Sequence, residues 1–171
     1  MEFTDVIAKR RSVRHFNTRL AVPDEDIRFI LDAGAAAPSA GNIQPWRFVV
    51  VRSLGAREKL SAALHQPWAA AASVVIVVCV DPRPSYARYS DRGAQLYCLQ
   101  DTANAAVTML YAAVDRGLAS CWIGAFDTAA VAVAIGVADP ITPIAILPIG
   151  RSAEAAGKPS RRPLEEVTTW L

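Results

Sequence analysis

The run Val74-Val75-Ile76-Val77-Val78-Cys79-Val80 constrains the fold more than any other stretch of the chain. β-Branched side chains lose rotamer freedom against a helical turn but pack well on a pleated surface. A continuous series of them therefore predicts a strand, closed here by Asp81-Pro82. The wider apolar stretch from Trp68 to Val80 is bounded by Pro67 and Asp81 and falls well short of the ~20 residues a membrane-spanning helix needs. It belongs in a sheet, and no membrane partner is expected.

Around this strand the sequence alternates irregularly between helical and extended patterns. Thr4 is suited to cap a short helix running to about Arg10, with Val6 and Ile7 turned inward. Pro23, followed by Asp24, Glu25 and Asp26, marks the start of a second helix; its stripe is Ile27, Ile30, Leu31 and Gly34, and Pro38 ends it. Phe48 to Val51 reads as a buried strand, and a helix follows around Ala56 to Leu64. Asp81 to Arg92 reads as a short loop carrying Tyr86 and Tyr89. The longest helical pattern runs from about Arg92 to Arg116, with Leu96, Leu99, Ala103, Val107, Leu110 and Val114 as its core stripe and Gly117 at its C-terminal end. Ala119 to Ile123 predicts a strand, and Thr128 to Ile135 a helix capped by Asp127 or Thr128. The last strand, Thr142 to Ile149, carries Pro143 and Pro148 and is expected near an edge or bent. This order is mixed α and β without regular βαβ alternation, which excludes a doubly wound parallel sheet.

A chain of 171 residues fits one domain, 1–171. With 53% hydrophobic and 20% charged residues it has the balance of a packed protein, not a disordered one. The apolar excess is largely alanine, which lets helices approach closely and predicts helix-rich layers and a buried dimer interface. A formal charge of +2 is too small for a nucleic-acid footprint, so no nucleic-acid partner is expected and only local clusters of positive charge matter. Cys79, Cys98 and Cys121 form no C-x-x-C pair and lie in apolar contexts, as expected of buried thiols in a reducing cytoplasm; no signal peptide is visible and no metal site is expected.

Such a cluster occurs at Arg10-Arg11-Ser12-Val13-Arg14. Guanidinium groups stay charged and bind phosphate in bidentate fashion, so these arginines with the Ser12 hydroxyl suit a phosphomonoester, although for such a motif taken alone a solvated basic turn is the better reading. The loop Ala37-Pro38-Ser39-Ala40-Gly41-Asn42-Ile43-Gln44-Pro45-Trp46 is different in kind. Its Asn42 and Gln44 amides each offer a donor and an acceptor, matching the edge of a pyrimidine-like ring, while Trp46 is either a stacking platform or core. In Ser120-Cys121-Trp122-Ile123-Gly124-Ala125-Phe126 a strand ends at a glycine, where backbone N–H groups can approach a ligand closely. Arg161-Arg162-Pro163 supplies a second basic pair.

In this order, R-R-S-x-R, A-P-S-x-x-N-x-Q-P-W, S-C-W-I-G-A-F and R-R-P-L-E-E-V, the chain resembles the FMN-dependent nitroreductase family in its short bacterial and archaeal form. The resemblance covers essentially the whole chain. It implies an α+β fold, an α/β/α sandwich with a mainly antiparallel central sheet, in an intertwined homodimer whose tail, about 160–171, reaches the partner subunit. The alanine-rich helix from about Arg92 to Arg116 would form the dimer core. By the same resemblance Arg10 and Ser12 hold the FMN phosphate with Arg161 and Arg162, and Arg11 takes part. Arg14 faces the N1/O2 side of the isoalloxazine. Pro38, Ser39, Ala40 and Asn42 approach the flavin from the other subunit, with Gln44 a further polar candidate, and Ile123 and Gly124 supply backbone near N5 and O4. Tyr86 and Tyr89 are the pocket candidates for a small-molecule acceptor. No side chain in the motifs is an obvious general acid, so the flavin is expected to carry the chemistry.

The implied activity is ping-pong transfer from NAD(P)H through FMN to a nitroaromatic, a quinone or a related acceptor. Other flavin reactions of similar proteins stay open: dehalogenation, azoline oxidation and the flavin fragmentation of cobamide synthesis. So does a non-catalytic flavin-binding or F420-pathway role.

Overall fold

A computed structural model describes residues 1–154, 157 and 159–171. Its core is a four-stranded sheet in the order β1 (Trp46–Val51), β2 (Val74–Val80), β4 (Thr142–Gly150), β3 (Ala119–Ser120), with every neighbouring pair antiparallel. Among the described residues six α-helices accompany it: α1 (Phe3–Lys9), α2 (Asp24–Ala35), α3 (Leu54–Ala63), α4 (Arg83–Arg92), α5 (Cys98–Asp115) and α6 (Thr128–Ile135). The fold is α+β, with helical layers on both faces of the sheet.

The uninterrupted apolar run of β2 has a simple cause: both its faces are covered. Val74, Ile76 and Val78 join Ala145, Leu147 and Ile149 against Ala106, Met109 and Ala113 of α5, behind which lie Ile27 and Ile30 of α2. The alternate residues Val75, Val77 and Cys79, with Ile146, meet Leu60 of α3, Leu64 just beyond it, and Val131 of α6. Period-two alternation thus feeds two cores, each Val or Ile contributing roughly 1.5–3 kcal/mol by burial. Gly34 lets α2 close on α5, because a Cβ there would stand 2.3 Å from the Met109 methyl.

Several expectations need correction. Thr4 lies inside α1, whose N-cap position is Glu2, and Val6 is buried while Ile7 is exposed. Asp81 to Arg92 is mostly helix, not loop, and leads through a π-helical turn (Gly93–Tyr97) into α5. Of the expected α5 stripe, Leu110 and Val114 are buried but Leu99 and Val107 are 41% and 39% exposed; Cys98, Thr102, Ala105, Ala106, Met109 and Ala113 complete the buried face. β4 is interior rather than at an edge. It accommodates Pro143 where its register with β2 shifts, and Pro148 offers its carbonyl to the Cys121 N–H on the side where pairing lapses between Ser120 and Ile123. Among the described residues, no helix is long and apolar enough to cross a membrane.

Candidate flavin site

After α1 the chain runs as an extended strap along the outer edge of β3. Ser12 bridges Ser120 in parallel, the Val13 N–H donates to the Ser120 carbonyl at 2.9 Å, and Phe16 bridges Ser152. Buried Val13 and Phe16 pin the strap, leaving Ser12 and Arg14 exposed beside it. At its start, Arg10, Arg11 and Arg161 line one cavity of about 440 Å³ with Thr4, Ile7 and Tyr111. The first and last basic clusters of the sequence therefore meet. Arg162 does not line this cavity and donates instead to a Glu166 carboxylate oxygen at 3.1 Å.

A smaller cleft of about 170 Å³ continues from the strap, lined by Arg14, Gln66, Trp68, Trp122, Ile123 and Gly124 among others. Both backbone groups of Ile123 are committed to Ile146, its N–H at 2.9 Å and its carbonyl at 3.0 Å, so Ile123 positions the turn. The N–H groups of Gly124 and Ala125 have no acceptor among the described residues. Beneath the strap, Ser120 Oγ is buried with no hydrogen-bond partner among the described residues. Burial pushes the neighbouring Cys121 thiol up from its ordinary range, opposed by Arg14, the Ser12 hydroxyl and Arg10, which surround it. Fixed positive charge, a hydroxyl and unpaired N–H groups thus run along one edge. That donor set fits a ligand with a phosphate tail and an electronegative ring edge.

The amide loop stands elsewhere. Gly41, Asn42 and Gln44 take left-handed backbone at φ 58°, 57° and 55°. Ser39 Oγ accepts from the Gln44 N–H at 3.0 Å, and Asn42 Oδ1 accepts from the Gln44 amide at 3.0 Å, so the two exposed amides pair with one another. Pro38 is exposed at the start of the loop, and the Ala40 N–H donates to Asp101 Oδ1 at 3.0 Å. Asp101 is buried, and its second oxygen has no partner among the described residues. Sequence reasoning missed this tether, whose only signal was an acid in the first turn of a helix. Trp46 is core, buried and stacked on Phe48. Of the two tyrosines, Tyr89 lies against the loop at Gly41, while Tyr86 is exposed on α4.

The loop is tethered at the N-terminal end of α5. The strap lies by its C-terminal end, where Gly117 at φ 66° closes the helix and the N-terminal ammonium meets Asp115 at 2.8 Å. At 1.5 Å per residue these ends are ~20 Å apart, so one chain does not bring loop and strap together. Tyr111 joins the strap's cavity; Leu99 and Val107 form an uncovered apolar stripe on α5, and Trp170 in the tail is 89% exposed.

The nitroreductase family profile matches this sequence over residues 7–71 and 61–151. An Archaeoglobus fulgidus protein, whose provisional name joins NADH dehydrogenase and NAD(P)H nitroreductase, is 40% identical over 126 residues, covering 73% of this chain and 68% of the relative. A nitroreductase family protein of Clostridium difficile superposes with a TM-score of 0.86 at 31% identity, over 99% of this chain and 98% of that one. A protein of Exiguobacterium sibiricum, solved in complex with FMN, shares the fold with a TM-score of 0.92 at 21% identity, covering 100% of this chain and 98% of the other. With the strap, the glycine turn and the amide loop placed as described, these matches identify the chain as a member of the nitroreductase family.

Proposed function

We propose that this protein is an FMN-dependent oxidoreductase that draws electrons from NAD(P)H and passes them by a ping-pong sequence to nitroaromatics, quinones or related acceptors. The observation that carries the reading is the donor track from the Arg10, Arg11 and Arg161 cavity past Ser12 and Arg14 to the unpaired N–H of Gly124. Bound FMN would supply two-electron chemistry coupling nicotinamide oxidation to acceptor reduction. Arg10 and Arg161 hold the phosphate with Ser12, and Arg11 closes the same cavity, its own guanidinium donating to the Arg10 carbonyl at 2.7 Å. Arg14 would place positive charge beside a reduced ring that gathers negative charge, and the Gly124 N–H would be a donor to that ring.

The remaining contacts come from a second copy. Loop 38–44 cannot reach the strap of its own chain, so a homodimer built on the outer stripe of α5 would present one protomer's loop to its partner's strap. The apolar tail with Trp170 would cross to that partner, and Arg162 would contribute there. The NAD(P)H names of relatives support the donor, and three buried free thiols suit a reducing cytoplasm. The purified protein should be yellow, carry about one FMN per chain, and oxidise NAD(P)H rapidly with nitrofurazone or menadione. Colourless protein that fails to take up added FMN overturns the reading, and bound FMN without such turnover moves it to another flavin reaction.

A further inference from the structure

Three arginines lie within ten residues on α4, and they are not equivalent. Arg83 is claimed by buried Asp81, donating to both carboxylate oxygens at 2.9 and 2.8 Å. No carboxylate lies within 4 Å of Arg88 or Arg92 among the described residues. Arg88 spends one donor on the Gly41 carbonyl at 3.0 Å, leaving most of its five N–H groups free, and stands 5.5 Å from the centre of the Tyr89 ring. Arg92 donates from Nε to the Tyr97 hydroxyl at 2.9 Å, with its guanidinium carbon 5.4 Å from that ring's centre. The two tyrosines meet edge to face at 5.3 Å.

The backbone is shaped to make this group. Ser90 sits at φ 51°, ψ −145°, a region that side chains rarely adopt, and it folds α4 back so that Gly93 packs on the Ser85 carbonyl, where a Cβ would stand at 2.1 Å. The π-helical turn follows, a feature concentrated at functional positions. Gly41 completes the arrangement, because a Cβ on it would lie 2.7 Å from both the Arg88 guanidinium carbon and the Tyr89 hydroxyl. Arg88 and Tyr89 thus lie against the loop assigned to the flavin, and Tyr97 with Arg92 extends the group behind Tyr89.

We propose that Arg88, Tyr89, Arg92 and Tyr97 receive a flat aromatic ligand bearing an anionic group, the rings packing on its face or edge and the guanidiniums pairing with its charge. This deepens the proposed function and rests on it for the ligand's entry to the flavin. Two sources carry that chemistry: a carboxylated or sulfonated acceptor, and the phosphates of the nicotinamide donor.

The test uses FMN-loaded protein with Arg88→Met, Arg92→Met and the double variant, and with Arg88→Lys as a charge-keeping control. The ratio of kcat/KM for 1,4-naphthoquinone-2-sulfonate over 1,4-naphthoquinone should fall about tenfold in the double variant and recover in part with lysine. Intrinsic reactivity cancels in this comparison. A fall confined to the NADPH over NADH ratio assigns the site to the donor instead. Calorimetric binding of 2-naphthalenesulfonate against 2-naphthalenemethanol needs no turnover; selective, salt-sensitive binding of the sulfonate, lost in the double variant, supports the proposal even if the redox reading fails. Unchanged ratios for both pairs, together with unchanged sulfonate binding, overturn it while leaving the proposed function standing.

Discussion

The two ends of α5 differ in what they offer a ligand. The C-terminal end is rich in charge and open N–H groups: Arg10, Arg11 and Arg161 line one cavity, with Arg14 and Gly124 next along the strap. The N-terminal end is rich in shape: three left-handed residues, paired amides, a buried aspartate and aromatic rings that meet edge to face. On the proposed reading, one end grips the flavin and the other fits around it. A rigid helix holds them apart in a single chain, so on the proposed reading association with a second copy completes the site and is not an ornament to it.

The sharpest way to break this contrast is to stop two copies from meeting. Val107→Asp puts a carboxylate on the uncovered stripe of α5, and burying it unpaired would cost several kcal/mol. Sedimentation should show monomer, and flavin should be lost with the dimer; a flavin-loaded dimer would refute the division of labour. Next in size is the gripping end alone. Arg10→Ala should weaken FMN binding by about 2–3 kcal/mol, the worth of a charge-assisted contact, as read by flavin fluorescence titration. Unchanged retention would remove Arg10 from the site.

The fitting end should answer more gently. Asp101→Ala frees the Ala40 N–H and should cost about 1–2 kcal/mol, with faster hydrogen exchange confined to residues 39–44. Exchange unchanged there would mean that the loop holds its shape unaided. The smallest effect concerns acid. Asp81 anchors this same end by its N–H to the Pro45 carbonyl, and Arg83, ahead of Arg47, holds its carboxyl below the usual range despite burial. A carboxyl depressed in the folded state stabilises fully above its unfolded value of about 3.9, and that contribution is lost as pH falls through the folded value. Asp81→Asn should therefore be less stable than the parent above about pH 4 and converge with it in stronger acid, as followed by thermal melting. Parallel curves at all pH values would contradict the linkage.

Sequence was a good guide wherever one cause dominated. β2 has the bounds its β-branched run predicts, Asp127 caps α6 through the Ala130 N–H, and Gly117 takes the left-handed turn after α5. It misled where two causes overlapped. On α5, Leu110 and Val114 of the expected stripe are buried, but Leu99 and Val107 face outward while Ala105, Ala106 and Ala113 join Met109 in the core. A helix with two apolar faces offers no single stripe to read. α4 was hidden by Pro82, Pro84 and the break at Ser90, and interior β4 by its prolines, which the bulge and the lapse in pairing accommodate. Of the candidate residues, the structure gathers Arg10, Arg11 and Arg161 in one place, Arg14, Ile123 and Gly124 in another, and the loop residues in a third. The Asp101 tether was illegible because nothing local marks a partner 61 positions earlier.

The strap has one more consequence. β3 is only two residues long, and without Ser12 and Val13 against it its outer backbone would stand bare, a template for stray strands from other molecules. The segment that carries the arginines is therefore also the guard of the sheet's open flank. Changes that unseat it would trade a weakened grip for clumping, and variants here are best judged by light scattering as well as by colour.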